Sequence, residues 1–326
     1  MDWQGVRYRA GQREGHYESW FLRANHPQRK QAFWIRYTIF SPKGRPEDAI
    51  GELWAVYFDG ESGQLCAAKS ELPLKRCEFA QSGLKVQIGE ATLQPGQLQG
   101  AALAPHKISW QLRYTGAGKP LLFLPENLYT AALPKAKAVT PGPFACFNGS
   151  LMVDGREIPI EDWVGSENHN WGSKHTDSYA WGQVAGFDNA PDTFLEVISA
   201  RLKIGPVETP TLTIVVLRVG DEEYRLNALL RAFRAKGQWR YFDWAFEATQ
   251  GDVRISGHFH AQAGDFVGLN YYNPPGGSHT CLNSKIAGCE LTLERRGEAT
   301  RLFRTVHRAA FEILTDDSSH GIAVVA

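Results

Sequence analysis

The sequence predicts an all-β protein built as two consecutive antiparallel β-barrel domains, and three observations carry that expectation. Apolar and polar residues alternate with a period of two in both halves of the chain. Turn residues interrupt these runs at intervals of roughly 8–14 residues, the spacing of sandwiches and barrels. No segment sustains the 3.6-residue period of a long amphipathic helix. At 326 residues, 43 % of them hydrophobic, the chain has enough apolar matter for two cores.

The elements follow in order. In 32–40, Phe33, Ile35, Tyr37 and Ile39 share one face, and Trp34, Arg36, Thr38 and Phe40 the other. Leu84, Val86 and Ile88 alternate with Lys85 and Gln87; Ile108, Trp110, Leu112 and Tyr114 alternate with Ser109, Gln111 and Arg113. Such runs read as strands with one face in a core and one in water. Further strands are expected near 179–187, 193–203, 211–219, 223–234, 238–248, 252–262, 286–295 and 301–314. Asp59-Gly60, Val219-Gly220-Asp221, Gln250-Gly251-Asp252 and Asn273-Pro274-Pro275-Gly276-Gly277 supply turns between strands. Alternation is weakest between 115 and 165, where Pro120, Pro125, Pro134, Pro141 and Pro143 lie, with a short helical turn near 125–133. That stretch is expected to be the crossover, giving an N-terminal barrel with its crossover over 1–164 and a C-terminal barrel over 165–326.

Charge and cysteine usage narrow the function classes. Lys plus Arg (35) equals Asp plus Glu (35), so there is no long-range pull on nucleic acid or an anionic membrane. No basic run interleaves with aromatics, and nucleic acid is not an expected partner. No run of about 18 apolar residues predicts a transmembrane segment. Met1-Asp2-Trp3-Gln4-Gly5 lacks the apolar region of a secretory signal. Five cysteines, an odd number without a C-x-x-C pair, suit a reduced protein, so the expected location is cytoplasmic. The phosphate-binding, serine-nucleophile and H-E-x-x-H zinc motifs are absent, and no cofactor is expected. His258-Phe259-His260 puts two histidines on one strand face, but a third ligand would have to come from as far as His169 or Glu196, so no metal is expected.

Aromatics make up 12 % of the chain, which suits both strands and the walls of a pocket for an apolar ligand. Two runs stand out: His16-Tyr17-Glu18-Ser19-Trp20-Phe21, and Asn168-His169-Asn170-Trp171-Gly172 followed by Tyr179-Ala180-Trp181-Gly182-Gln183. Downstream, Glu196 shares a strand face with Phe194, Ile198 and Ala200. If that face is dry, desolvation raises the carboxyl pKa and keeps its proton in place, as a general acid requires. If it faces water, Glu196 is an ordinary solvated acid, and an ion pair with an arginine such as Arg36 is a third reading. His169 and Trp171 share a face, where the histidine can move a proton and the indole can stabilise a cation. The competing reading is a polar turn with Trp171 as a plug. Glu18 and Arg36, both among aromatics, are expected to form a buried salt bridge.

At these residues the sequence resembles known families. Asn168-His169-Asn170-Trp171-Gly172, with the Trp181-Gly182 strand, resembles the His-Asn-Trp-Gly run of the hydroxyneurosporene synthase (carotenoid 1,2-hydratase) and AttH-like group. Tyr17-Glu18-Ser19-Trp20-Phe21 resembles the opening of tocopherol cyclases, and lipocalin-like Diels–Alderases belong to the same structural set. The resemblance implies two lipocalin-like (calycin) domains with a ligand between or within them. In the hydratases a His-x-Trp pair acts with a Tyr-x-Asp pair whose acid protonates a terminal isoprenoid double bond. Those positions fall here on His169 and Trp171 and on Phe194 and Glu196, so the chain departs twice, with Phe for Tyr and Glu for Asp.

The functional expectation is an enzyme that hydrates, cyclises or isomerises a hydrophobic isoprenoid- or polyketide-like substrate by proton assistance. Glu196, His169 and Trp171 are its expected catalytic residues. Phe194, Trp181, Tyr179, Gln183, Asn170, Glu18 and Trp20 are its expected substrate contacts. The alternative is a non-catalytic carrier or binding protein for a hydrophobic small molecule.

Overall fold

The computed structural model describes residues 1–116, 118–204 and 207–326. Nearly all of this backbone is antiparallel β-structure in two large curled sheets of 13 and 10 strands, a lipocalin-like all-β fold as expected. No helix among the described residues is long and apolar enough to cross a membrane. All five cysteines are free thiols.

Both sheets share one connectivity. Successive strands pair as a meander, and the first long strand of each sheet also pairs with its last. In the first sheet His16–Asn25 lies between Gln31–Ser41 and Arg156–Gly172. In the second, Ser178–Phe187 lies between Ala190–Arg201 and Arg301–Thr315. The break in the first sheet falls between Gln64–Pro73 and Cys77–Phe79, and in the second between Glu222–Leu226 and Lys236–Arg240. The duplication thus lies in pairing order, with no literal sequence repeat behind it.

Each curl encloses a hydrophobic core of its own inward residues. Trp20, Leu22, Ile35, Tyr37, Trp110 and Phe147 fill the first, and Val184, Leu195, Val215, Trp244, Phe259 and Phe311 the second. The outer faces of the central strands then pack sheet on sheet, as in a sandwich. Trp34, Trp54 and Phe58 of the first sheet join Leu269, Tyr271, Ile286 and Leu314 of the second in one cluster. Strands at this seam are therefore buried on both faces; nine of the ten residues of His16–Asn25 are buried.

Several expectations about elements are corrected. Residues 136–172 form two long strands, Ala136–Val153 and Arg156–Gly172, where the crossover was expected. Pro141 and Pro143 fall at register shifts between these strands, where a residue lacking an N–H is tolerated. Residues 165–172, expected to begin the second barrel, complete the first sheet, so His169 and Trp171 belong to that sheet. The expected strand 223–234 ends at Leu226 and gives way to a helical turn, Leu229–Ala232. The expected strand 238–248 is instead a hairpin that turns at Tyr241 and Phe242, the latter at φ 72°. The helical turn near 125–133 is a 3-10 turn over Glu126–Tyr129.

Candidate functional site

Period-two geometry decides which residues reach the seam. On Ala190–Arg201, Leu195 and Val197 enter the second curl, so Glu196 and Ile198 point out of it, towards the first sheet. Glu196 therefore does not face the interior of its own barrel. It faces a cavity of about 190 Å³ between the two sheets. Phe21, Leu124, Tyr179, Trp181, Ile198 and Ile214 give this cavity apolar walls, and Pro134, Leu202 and the half-exposed Leu229 lie on its more exposed side.

Glu196 is 2 % exposed. The Thr140 hydroxyl donates to its Oε2 at 2.8 Å and the Trp181 indole N–H to its Oε1 at 3.2 Å. Burial pushes its carboxyl up to about 7, against the opposing pull of those two hydrogen bonds, the Arg23 guanidinium and Gln183. A buried polar network stands behind it. Gln183 donates from Nε2 to Asn168 Oδ1 at 2.7 Å, while its Oε1 accepts from Ser166 at 2.7 Å and from Arg23 Nε at 2.9 Å. Arg23 continues to Asn25 Oδ1 at 2.8 Å, and Asn25 donates to the Lys285 carbonyl at 2.6 Å. The network joins both sheets and fixes the carboxyl against a rigid wall.

A second polar node lies along the same seam. The Lys285 ammonium donates to Glu312 Oε1 at 2.7 Å and to Asn283 Oδ1 at 2.5 Å. Glu312 also accepts from Asn283 Nδ2 at 3.0 Å and from the Cys281 thiol at 3.6 Å. Glu312 borders the cavity, with both of its oxygens already engaged.

The expected site residues divide between two places. Glu196, Trp181, Tyr179 and Asn170 border the cavity. Gln183 lies behind Glu196, and Phe194 packs edge-on against Phe144 at 5.4 Å; neither borders the cavity. His169 borders it too, but its ring belongs to the first curl. Its Nε2 meets Glu18 Oε1 at 2.8 Å, its Nδ1 meets the Trp3 carbonyl at 2.8 Å, and it stacks on Trp20 at 4.8 Å. Both ring nitrogens are thus engaged by oxygen atoms of the protein and turned away from the cavity. Trp171 packs among His169, Tyr129 and Arg7.

Glu18 and Trp20, expected as substrate contacts, are enclosed in the first curl away from the cavity. Glu18 also accepts from His16 and from the backbone N–H groups of Arg7 and Tyr8, tying the N-terminal segment across the sheet. Burial opposes its ionisation, but the hydrogen bonds from His16 and His169 outweigh it and hold the carboxyl at about 2. The expected Glu18–Arg36 salt bridge does not form, because alternation puts the two residues on opposite faces of the first sheet. His258 pairs instead with Asp243 at 2.7 Å on the half-exposed rim of the second sheet.

Thr140, Asn168, Ser166, Arg23 and Lys285 were not anticipated. Their signal was present but ambiguous: a small polar or charged residue at every second position reads equally as a face in water.

No protein-family model matches the chain, and no curated protein is similar to it in sequence. Solved structures align over nearly its full length. A protein assigned as AttH from Nitrosomonas europaea aligns at TM-score 0.57 and 12 % identity, over 94 % of this chain and 96 % of that one. Kievitone hydratase from Nectria haematococca aligns at TM-score 0.55 and 11 % identity, over 93 % and 89 %. CghA aligns at TM-score 0.58 and 12 % identity, over 94 % and 90 %, and its structure with Sch210972 aligns at TM-score 0.57. The chain therefore has the two-sheet, lipocalin-like fold of AttH-type proteins, reached with little sequence in common.

Proposed function

We propose that this protein is an enzyme that uses Glu196 as a general acid on the carbon–carbon double bond of a hydrophobic substrate, giving hydration, cyclisation or isomerisation. The observation that carries this reading is a fully buried carboxyl, raised to about 7, at the edge of an apolar cavity. A solvated glutamate would be ionised at neutral pH and would have no proton to give. Its two hydrogen-bond donors, Thr140 and Trp181, fix its orientation before and after transfer.

The proton moves from the Glu196 carboxyl to one alkene carbon, leaving a cation on the other. The faces of Trp181 and Tyr179 can each contribute about 0.5–2 kcal/mol to its stabilisation. Water or an internal hydroxyl adds to the cation, or a neighbouring carbon loses a proton, and the Glu196 carboxylate recovers one proton. Thr140, Trp181 and Arg23 stabilise that transient carboxylate. The neighbouring kievitone hydratase, by its name, performs a hydration, which agrees with this class of reaction. His169 and Trp171 are assigned a positioning role, through the Glu18 clamp and the strand that presents Asn168 and Asn170.

The test is incubation with a panel of isoprenoid and polyketide alkenes in deuterated water, read by mass spectrometry. The wild-type protein should convert at least one compound with uptake of solvent deuterium at carbon, and Glu196→Gln should abolish conversion. Equal conversion by the variant would remove Glu196 from the chemistry. A ligand from the source cell that co-purifies and stays chemically unchanged would favour the carrier reading.

A further inference from the structure

Beside the main cavity lies a second chamber of about 30 Å³. The two spaces share Phe21, Asn170, His175, Tyr179 and Glu312 as walls. The other side of the chamber is made by Trp34, Arg36 and Tyr271. Arg36 comes from the seam face of Gln31–Ser41 and is 5 % exposed. Among the described residues its guanidinium makes no hydrogen bond or ion pair, and its Nε is a buried donor without an acceptor. The indole N–H of Trp34 in the same wall is equally unpartnered.

A buried donor left without an acceptor is destabilising, and more so when it is charged. Two such donors in one small wall indicate an acceptor that the chain does not supply. The nearest acids do not reach it. Neither forms an ion pair with Arg36; Glu312 is engaged by Lys285, Asn283 and Cys281, and Glu52 lies 2.9 Å from the Lys69 ammonium, its Oε1 making no hydrogen bond to Arg36 or to any other group. The other walls bring no anion, since burial keeps Tyr179 and Tyr271 protonated and holds the His175 imidazole neutral. Burial disfavours the Arg36 charge, but the negative charges of Glu52 and Glu312 favour it, and the guanidinium stays ionised. It lies over the Tyr271 ring at 4.5 Å, which fixes its plane and leaves its N–H edge as the recognition element.

We propose that Arg36 anchors a carboxylate head group in this chamber, so that the substrate class is an apolar acid. The volume fits this group, since each water-sized atom needs roughly 10–15 Å³ and a carboxylate presents two oxygens. A guanidinium matches those oxygens as a planar fork. The body of the ligand then runs past Phe21 and Tyr179 to Trp181 and Glu196, which places the acid end of the molecule away from the proton donor. The inference rests on the seam cavity holding a hydrophobic ligand, but it does not depend on proton transfer.

The test is calorimetric titration with geranic acid, geraniol and methyl geranate, which share a carbon skeleton and differ in the head group. The acid should bind the wild-type protein about 10- to 100-fold more tightly than either neutral compound, the range of a charge-assisted hydrogen bond. Arg36→Met should remove that preference and leave geraniol binding largely intact. Arg36→Lys should keep only part of it, because lysine offers charge without the fork. Equal affinities in the wild-type protein, absence of binding by all three, or an acid preference that survives Arg36→Met would overturn the proposal. If Arg36→Met fails to fold, the wild-type comparison and Arg36→Lys decide, and a full preference in the lysine variant overturns the fork. Glu196→Gln should retain the acid preference; loss of turnover with the preference kept separates the anchor from the acid.

Discussion

Replacing Glu196 with glutamine should stabilise the protein at neutral pH and change little in mild acid. Burial pushes the folded carboxyl up to about 7 from the ordinary 4.5, outweighing its hydrogen bonds and the Arg23 charge. A raised folded pKa means the native state holds the proton more tightly than the unfolded chain. Below the unfolded value both states are protonated and Glu196 costs nothing. As pH rises from 4.5 to about 7, the unfolded chain ionises first and stability falls. At about 1.4 kcal/mol per unit, the loss is about 3 kcal/mol once both states are ionised. Glutamine stays neutral throughout, can accept from Trp181 with its carbonyl, and can donate to Thr140 with its amide. The variant should therefore match the wild-type protein at pH 4 and exceed it by about 3 kcal/mol at pH 8, roughly 4 °C in Tm. Urea titrations and near-ultraviolet circular dichroism melts across that range measure the gap. A variant less stable than wild type at pH 8, or a gap that does not change with pH, would refute the dry, protonated acid.

Glu18→Gln should act in the opposite sense. The folded carboxyl sits at about 2, so its contribution is present above the unfolded value and lost as pH falls. Leaving His16 and His169 without their carboxylate should cost about 3–5 kcal/mol at pH 7 by urea denaturation, and should open the N-terminal segment to limited proteolysis. Single substitutions Lys285→Met and Glu312→Leu should each cost about 3–5 kcal/mol, and the double variant much less than their sum; additive losses in the double-mutant cycle would deny the pair. A Cβ at Gly165 would lie 1.7 Å from the Arg23 carbonyl oxygen, so Gly165→Ala should abolish accumulation of folded protein, checked by expression yield and circular dichroism.

The strands were legible wherever one face meets water. Ile108–Thr115 alternates buried and more exposed positions as its sequence predicts. At the seam the same pattern has a different meaning. Arg23, Asn25 and Arg36 occupy the alternate positions that read as a solvent face, yet each is at most 5 % exposed because the second sheet covers them. Glu196 posed a choice between a barrel interior and water. The structure gives neither, since the residue points out of its own curl and is covered by the other. Alternation correctly grouped His169 with Trp171, but it does not encode which group faces the seam cavity, and the side chains of Asn168 and Asn170 take that side. The 115–165 region misled because its prolines signal breaks, whereas Pro141 and Pro143 lie at bulges within continuous pairing. The paired connectivity of the two sheets depends on contacts between distant strands, which no local pattern contains.

The proposed chemistry requires that Glu196 carry a proton at neutral pH inside the seam cavity. Its most direct test is a carbon-13 NMR titration of the glutamate side-chain carboxyls, with Glu196 assigned by the signal missing from Glu196→Gln. The midpoint of that signal should fall at about 7. A midpoint near 4.5, with the carboxylate already formed at pH 6, would contradict it.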